Sequence, residues 1–136
     1  MPFLVDSNVL SEVTKPEPDG GVVVWLKDNE EELVVDPIVI GELQTGILCL
    51  PSGARRKRLE GWFQRVSDSL YCLSWDFETG MRWAQLLADL RKAGKAMPLK
   101  DSLIAASALQ HGLTVATRNE RDFLKAGVGI VNPFSA

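Results

Sequence analysis

The sequence predicts a single α/β domain over residues 1–136, with a mainly parallel sheet flanked by helices. Three observations predict it. Short apolar runs without alternation recur at Phe3–Val5, Leu33–Val35 and Leu113–Ala116, as in strands buried on both faces. Between them lie longer segments of helical periodicity, and strands alternating with helices argue a layered fold with parallel strands. Finally, no repeat, low-complexity tract or linker interrupts the chain, so one core suits its 136 residues.

Taken in order, Phe3–Val5 reads as the first strand and Ser7–Thr14 as a short helix. Residues 15–21, Lys-Pro-Glu-Pro-Asp-Gly-Gly, read as a loop, since two prolines and two glycines oppose regular structure. Val22–Glu32 is the next helix, with Val22, Trp25 and Leu26 on one side, and Leu33–Val35 is a strand. Pro37 opens a helix to Leu50, where its missing N–H costs nothing, and Pro51-Ser52-Gly53 ends it. Ala54–Asp68 forms a helix with a basic start, and Leu70–Leu73 a strand. Trp75-Asp76 leads into a helix to Lys92, with Met81, Ala84, Leu87, Ala88 and Arg91 near helical spacing. Pro98–His111 is an apolar, small-residue helix closed by Gly112 in a left-handed turn. Leu113–Ala116 is a strand, Glu120–Lys125 a short helix, and Val128–Val131 a last strand or extended tail. Trp62, Trp75 and Trp83 have apolar neighbours and read as core or interface anchors rather than base-stacking platforms.

Composition narrows the class. No apolar run reaches the roughly 18 residues of a membrane span, and no basic region precedes a long apolar one at the start. Cys49 and Cys72 lie among apolar neighbours and read as small core residues rather than a disulfide or metal pair. Together these features place the expected location in the cytoplasm. The net charge of −3 does not advertise a nucleic-acid binder. It does not exclude one either, because a site that holds cations with carboxylates is acidic until the metal arrives.

Three acids stand apart from the surface charges. Asp6 ends a buried strand, Glu42 sits within Ile38-Val39-Ile40-Gly41-Glu42-Leu43, and Asp101 heads an apolar helix. Each alone has an ordinary explanation as a helix cap, an exposed helix residue or a charge favoured by the helix dipole. An ionised carboxylate among apolar neighbours is costly unless it is paired or binds a metal. In a parallel sheet the strand C-termini and the following helix N-termini share one edge, so the three can converge there. Hard oxygen ligands suit Mg²⁺ or Mn²⁺. A further segment, residues 115–123, again follows an apolar run. Thr117 or Asn119 could cap its helix with Asp122 completing a capping box, or Asn119 and Asp122 could belong to the site. His111 stands at a helix end and is better placed to support that terminus than to act as a base. Lys100, Arg118 and Arg121 flank the acids and could neutralise phosphates. Arg55-Arg56-Lys57-Arg58 is a basic run at a helix start, which reads either as a solvated face or as a phosphate-facing one.

Four blocks in order give the chain a family resemblance: residues 4–9 (Leu-Val-Asp-Ser-Asn-Val), 40–46 (Ile-Gly-Glu-Leu-Gln-Thr-Gly), 101–106 (Asp-Ser-Leu-Ile-Ala-Ala) and 116–123 (Ala-Thr-Arg-Asn-Glu-Arg-Asp-Phe). The whole chain resembles PIN-domain ribonucleases, in particular the VapC-type toxins of bacterial toxin–antitoxin pairs, including the FitB-like branch. Asn132-Pro133-Phe134 is similar to the family's usual close. The resemblance implies that Asp6, Glu42 and Asp101 bind Mg²⁺, with Mn²⁺ possible, and that the catalytic set extends to a fourth acid. That acid falls at Asp122 or is replaced by Asn119, and Asn8 and Thr117 line the site. It also implies an endoribonuclease, a cognate antitoxin, a homodimer, and DNA contact only through the antitoxin. Two alternatives remain at this point: a catalytically inactive interaction module of the same fold, and a haloacid-dehalogenase-type phosphatase using Asp6. The second wants another Asp where Asn8 stands, together with a late lysine and acid pair.

Overall fold

A computed structural model describes residues 2–135. Five strands form one sheet in the order β3-β2-β1-β4-β5. They are β1 (Phe3–Val5), β2 (Leu33–Val35), β3 (Tyr71–Cys72), β4 (Thr114–Ala116) and β5 (Ile130–Val131). Every pairing is parallel. The helices are α1 (Ser7–Glu12), α2 (Gly20–Asp28), α3 (Pro37–Leu48), α4 (Ala54–Ser69), α5 (Phe77–Lys92), α6 (Leu99–His111) and α7 (Glu120–Leu124). Chain order reverses at β1, which is central, and the crevice outside its carboxyl end is where ligands bind in such sheets. Register places Val5 opposite Ala116, so the residues that follow, Asp6 and Thr117, emerge side by side.

The core lies between sheet and helices. Leu4, Val5, Val9, Val39, Ile104, Val115 and Phe123 are fully buried. Trp25 packs edge-on against Phe3, and Trp75 against Trp83, with ring centroids 5.0 and 6.3 Å apart. Trp62, Trp75 and Trp83 are all half-buried, as apolar anchors should be. Gly112 adopts φ +65°, and its N–H closes α6 on the Ala108 carbonyl.

Several sequence expectations need correction. Gly20 and Gly21 open α2 instead of lying in a loop. Asp19 caps that helix through Gly21 N and Val22 N, and this cap outweighs the conformational freedom of the glycines. The helix ends at Asp28, and Glu30–Glu32 form a separate 3-10 turn. The helix read over 7–14 stops at Glu12, and the strand read over 70–73 pairs only through Tyr71–Cys72 at the sheet edge. On α5 the inward stripe is Thr79, Trp83, Leu86 and Leu90, whereas Met81 is 56% exposed. Trp83 sets that rotation by donating from Nε1 to Ser102 Oγ of α6 at 3.0 Å. Neither cysteine is a core residue: Cys49 caps the end of α3, Cys72 lies on the edge strand, and both are exposed.

Asp19 is a junction as well as a cap. Its carboxylate also accepts from Ser135 N and Ser135 Oγ, which fastens the end of the chain to the start of α2. Asp19→Ala should lower stability, since the cap of α2 and the tie to Ser135 are lost together, and should lower the urea midpoint without changing the slope.

Candidate active site

Asp6 follows β1 and caps α1, and its two oxygens are separately engaged. Oδ1 accepts from Ser7 N at 2.8 Å. Oδ2 accepts from Thr117 Oγ1 at 2.8 Å and Asn8 Nδ2 at 3.2 Å. Burial pushes this carboxyl above the ordinary range, against the bonds from Thr117 and Ser7, with Glu42 raising it further and Lys100 lowering it. The pairing of β1 with β4 carries this geometry, because it brings Thr117 from the far end of the chain to within one hydrogen bond of Asp6.

Thr117 is the hub. Its hydroxyl donates to Asp6 and accepts from Asn119 N at 2.9 Å. Asn8 bridges the same strands from the other side, since its Oδ1 accepts from Arg118 N at 3.1 Å. Asn119 does not cap α7 with its side chain. Instead its Nδ2 donates to Asp101 Oδ2 at 2.6 Å.

Asp101 lies in the first turn of α6 and is 5% exposed. Burial first, then the charges of Asp6 and Asp122, push its carboxyl up to about 6, with Lys100 pulling it down and Glu42 adding to the rise. Glu42 stands on α3, where its Oε2 accepts from Ser7 Oγ at 3.0 Å and pairs with the Lys100 ammonium at 2.5 Å. Its Oε1 is buried with no hydrogen-bond partner. Asp6, Glu42, Asp101 and Asp122 therefore share one electrostatic field. Asp122 also pairs with Lys125 at 3.4 Å.

The flanking cations divide. Lys100 sits on the acids, but the Arg118 guanidinium lies 4.6 Å over the Phe134 ring. Arg121 is exposed on α7. Arg56 folds back onto the Leu50 carbonyl at 3.3 Å, whereas Arg55 lines a groove of about 260 Å³ that includes Ser7, Glu42 and Trp62.

Asp36 escaped the sequence reading. It is fully buried, follows β2 and caps α3 through Val39 N at 3.0 Å. Its Oδ2 accepts from Ser107 Oγ of α6 at 2.9 Å. It thereby joins the helix that carries Glu42 to the one that carries Asp101. The signal was present: Leu33-Val34-Val35-Asp36 repeats the pattern of an apolar strand followed by aspartate seen at Phe3–Asp6.

The donor set fits a hard divalent ion. It consists of carboxylates, one of them with a buried, unpaired oxygen, and Mg²⁺ takes one or two carboxylates while keeping several waters. The expectation of three acids jointly caging an ion is not met by the side chains as they stand. Among the described residues, no three acidic, cysteine or histidine groups are arranged to hold one. Lys100 and Asn119 meet one oxygen each of Glu42 and Asp101.

The PIN domain's sequence profile matches residues 3–128. The chain belongs to the PIN-domain family. It is 37% identical to VapC ribonuclease Y4jK of Sinorhizobium fredii over 97% of both chains. Toxin FitB of Neisseria gonorrhoeae is 33% identical, over 97% of this chain and 98% of that one. In structure it is similar to FitAcB from Neisseria gonorrhoeae, with TM-score 0.86 and 31% identity, covering 96% of this chain and 97% of that one. A structure of FitAB bound to an IR36 DNA fragment superposes with TM-score 0.88 at 29% identity, covering 98% and 96%. These matches do not favour the phosphatase alternative.

Raising the Asp101 carboxyl to about 6 has a pH consequence. The folded state binds that proton more tightly than the unfolded chain does, so this contribution is fully present below the unfolded value. It is lost as pH rises through about 6. In chelator, thermal unfolding should show the stability advantage of Asp101→Asn over wild type growing between about pH 4 and about pH 6 and levelling off above that, reaching about 1 kcal/mol.

Proposed function

We propose that this chain is a divalent-metal-dependent endoribonuclease and the toxin of a bacterial toxin–antitoxin pair. The observation that supports it most is the network Asp6–Thr117–Asn119–Asp101, which draws acids from opposite ends of the chain to the carboxyl edge of the sheet. Relatives named as a VapC ribonuclease and as a toxin, at 37% and 33% identity over nearly the whole chain, support the same reading.

In this reading Asp6, Glu42 and Asp101 hold the ion, and Asp122 adds negative field beside it. Bound Mg²⁺ or Mn²⁺ supplies Lewis-acid polarisation of the phosphodiester and lowers the pKa of the attacking water. The chain's residues supply position. Thr117 and Asn8 fix the Asp6 carboxylate, Asn119 orients Asp101, and Ser7 orients Glu42. An ionised carboxylate of the site would accept a proton from the water as its oxygen bonds to phosphorus, while the phosphorus–ester bond breaks and the departing alkoxide takes a proton from solvent. No histidine serves: His111 is at the exposed end of α6. Arg55 lines the groove that reaches Glu42, while Lys57 and Arg58 are exposed elsewhere on the same helix; in this reading these cations meet RNA phosphates.

The partners follow the same reading. They are an RNA substrate, a cognate antitoxin that covers the site, a second copy of this chain, and operator DNA met through the antitoxin. Exposed apolar residues on α5, Phe77 at 76% and Met81 at 56%, leave surface suited to the second copy. Among the described residues no helix is long and apolar enough to cross a membrane.

Purified protein should cut RNA in Mn²⁺ or Mg²⁺ and lose that activity in EDTA. Asp6→Asn and Asp101→Asn should each lower kcat at least about 10²-fold while staying folded by circular dichroism; undiminished cleavage in EDTA would contradict the metal mechanism. Replacing Arg55, Lys57 and Arg58 with Gln should weaken binding of a non-cleavable RNA. It should also reduce the slope of log affinity against log salt by about 0.7 for each phosphate that is no longer neutralised.

A further inference from the structure

Lys100 is placed unlike the other cations around the site. It stands one residue before Asp101 on α6, yet its ammonium rests on Glu42 Oε2 of α3, an oxygen that already accepts from Ser7 Oγ. The lysine side chain is 54% exposed and the glutamate 19%. A flexible stem therefore carries a full charge from open solvent onto a walled-in acid. The same ammonium is felt by Asp6 and Asp101 as well as Glu42. It thus sits among the acids that would hold a divalent ion. Arg118 is engaged with Phe134 and Arg56 with Leu50, so neither arginine duplicates this contact.

We propose that Lys100 is a mobile counter-ion with two seats. With no cation or RNA bound, it neutralises Glu42. Once the acids hold a divalent ion, it moves to a non-bridging oxygen of the scissile phosphate. The second seat rests on the nuclease reading above; the first does not. Charge dictates the exchange, because an ammonium and a divalent ion cannot share Glu42 without strong repulsion at contact distance. The backbone tether then keeps the displaced ammonium within a side chain's length of the acids. A phosphate seated over the ion offers it an exposed anionic partner. Lysine suits this duty better than arginine, since its ammonium is a compact point charge on a freely rotating stem. In its first seat Lys100 weakens metal binding; in its second it stabilises charge that grows on the phosphate as water adds.

The test compares wild type, Lys100→Met and Lys100→Arg as full chains. In calorimetric titration with Mn²⁺ and no RNA, Lys100→Met should bind about three- to tenfold more tightly than wild type, and Lys100→Arg within about twofold of it. In steady-state cleavage at saturating Mn²⁺, Lys100→Met should lose about 10²-fold in kcat with KM little changed, and Lys100→Arg should recover much of the loss. Unchanged Mn²⁺ affinity in Lys100→Met overturns the proposal and leaves a static surface ion pair. Tighter Mn²⁺ binding with undiminished kcat overturns the phosphate seat. A wild type that cuts no RNA yet binds Mn²⁺ more weakly than Lys100→Met supports the counter-ion and defeats the nuclease reading alone.

Discussion

The structure answers to one electrostatic demand, which is to keep the Asp6 carboxylate buried at the end of the central strand. A carboxylate in that position needs donors, and the fold provides them from elements distant in sequence. Thr117 arrives because β4 lies beside β1, Asn8 because α1 begins at once, and Ser7 N because Asp6 is that helix's cap. With the strand order reversed at β1, the neighbouring helices α3 and α6 converge on the same edge and bring Glu42 and Asp101 with them.

Holding those helices in register falls to a second buried acid. Asp36 caps α3 with one oxygen and accepts from Ser107 of α6 with the other. Burial raises this carboxyl too, with Asp6 among the charges that add to the rise. The acids in view are therefore of two kinds. Asp36 has its oxygens occupied by donors of the fold. Glu42 and Asp101 are met by groups that can be displaced: an exposed lysine on one and a side-chain amide on the other. A cluster so arranged is not at its most stable when fully ionised, and the remaining like-charge repulsion is what a cation would relieve.

Much of this was legible in the sequence, for physical reasons. Asp6, Glu42 and Asp101 stood out because each interrupts an apolar stretch, and burial of charge among apolar neighbours demands an explanation. The residues that organise those acids were harder to see. Asn119 obeys every rule for a helix cap, but its amide is spent on Asp101. Asp36 resembles an ordinary cap before a proline helix, and it is one; its bond to Ser107 appears only when α6 lies against α3. The same holds for the inward face of α5, where Trp83 reaches Ser102 and turns Met81 outward.

The sequence by itself determined the alternation of strands and helices, the parallel character of the sheet and the three acids that stand out from their apolar surroundings. These are local properties, carried by apolar runs, prolines, capping residues and the cost of burying charge. The tertiary structure alone decided which oxygen meets which donor: Thr117 on Asp6, Asn119 on Asp101, Lys100 on Glu42, Ser107 on Asp36. Each of these pairs except Asn119–Asp101 joins residues more than 30 positions apart, and the Asn119 contact depends on β4 returning beside β1. Such contacts depend on strand order and helix packing, which no local pattern encodes, because hydrogen bonds reach only about 3 Å and their partners must first be brought together by the fold.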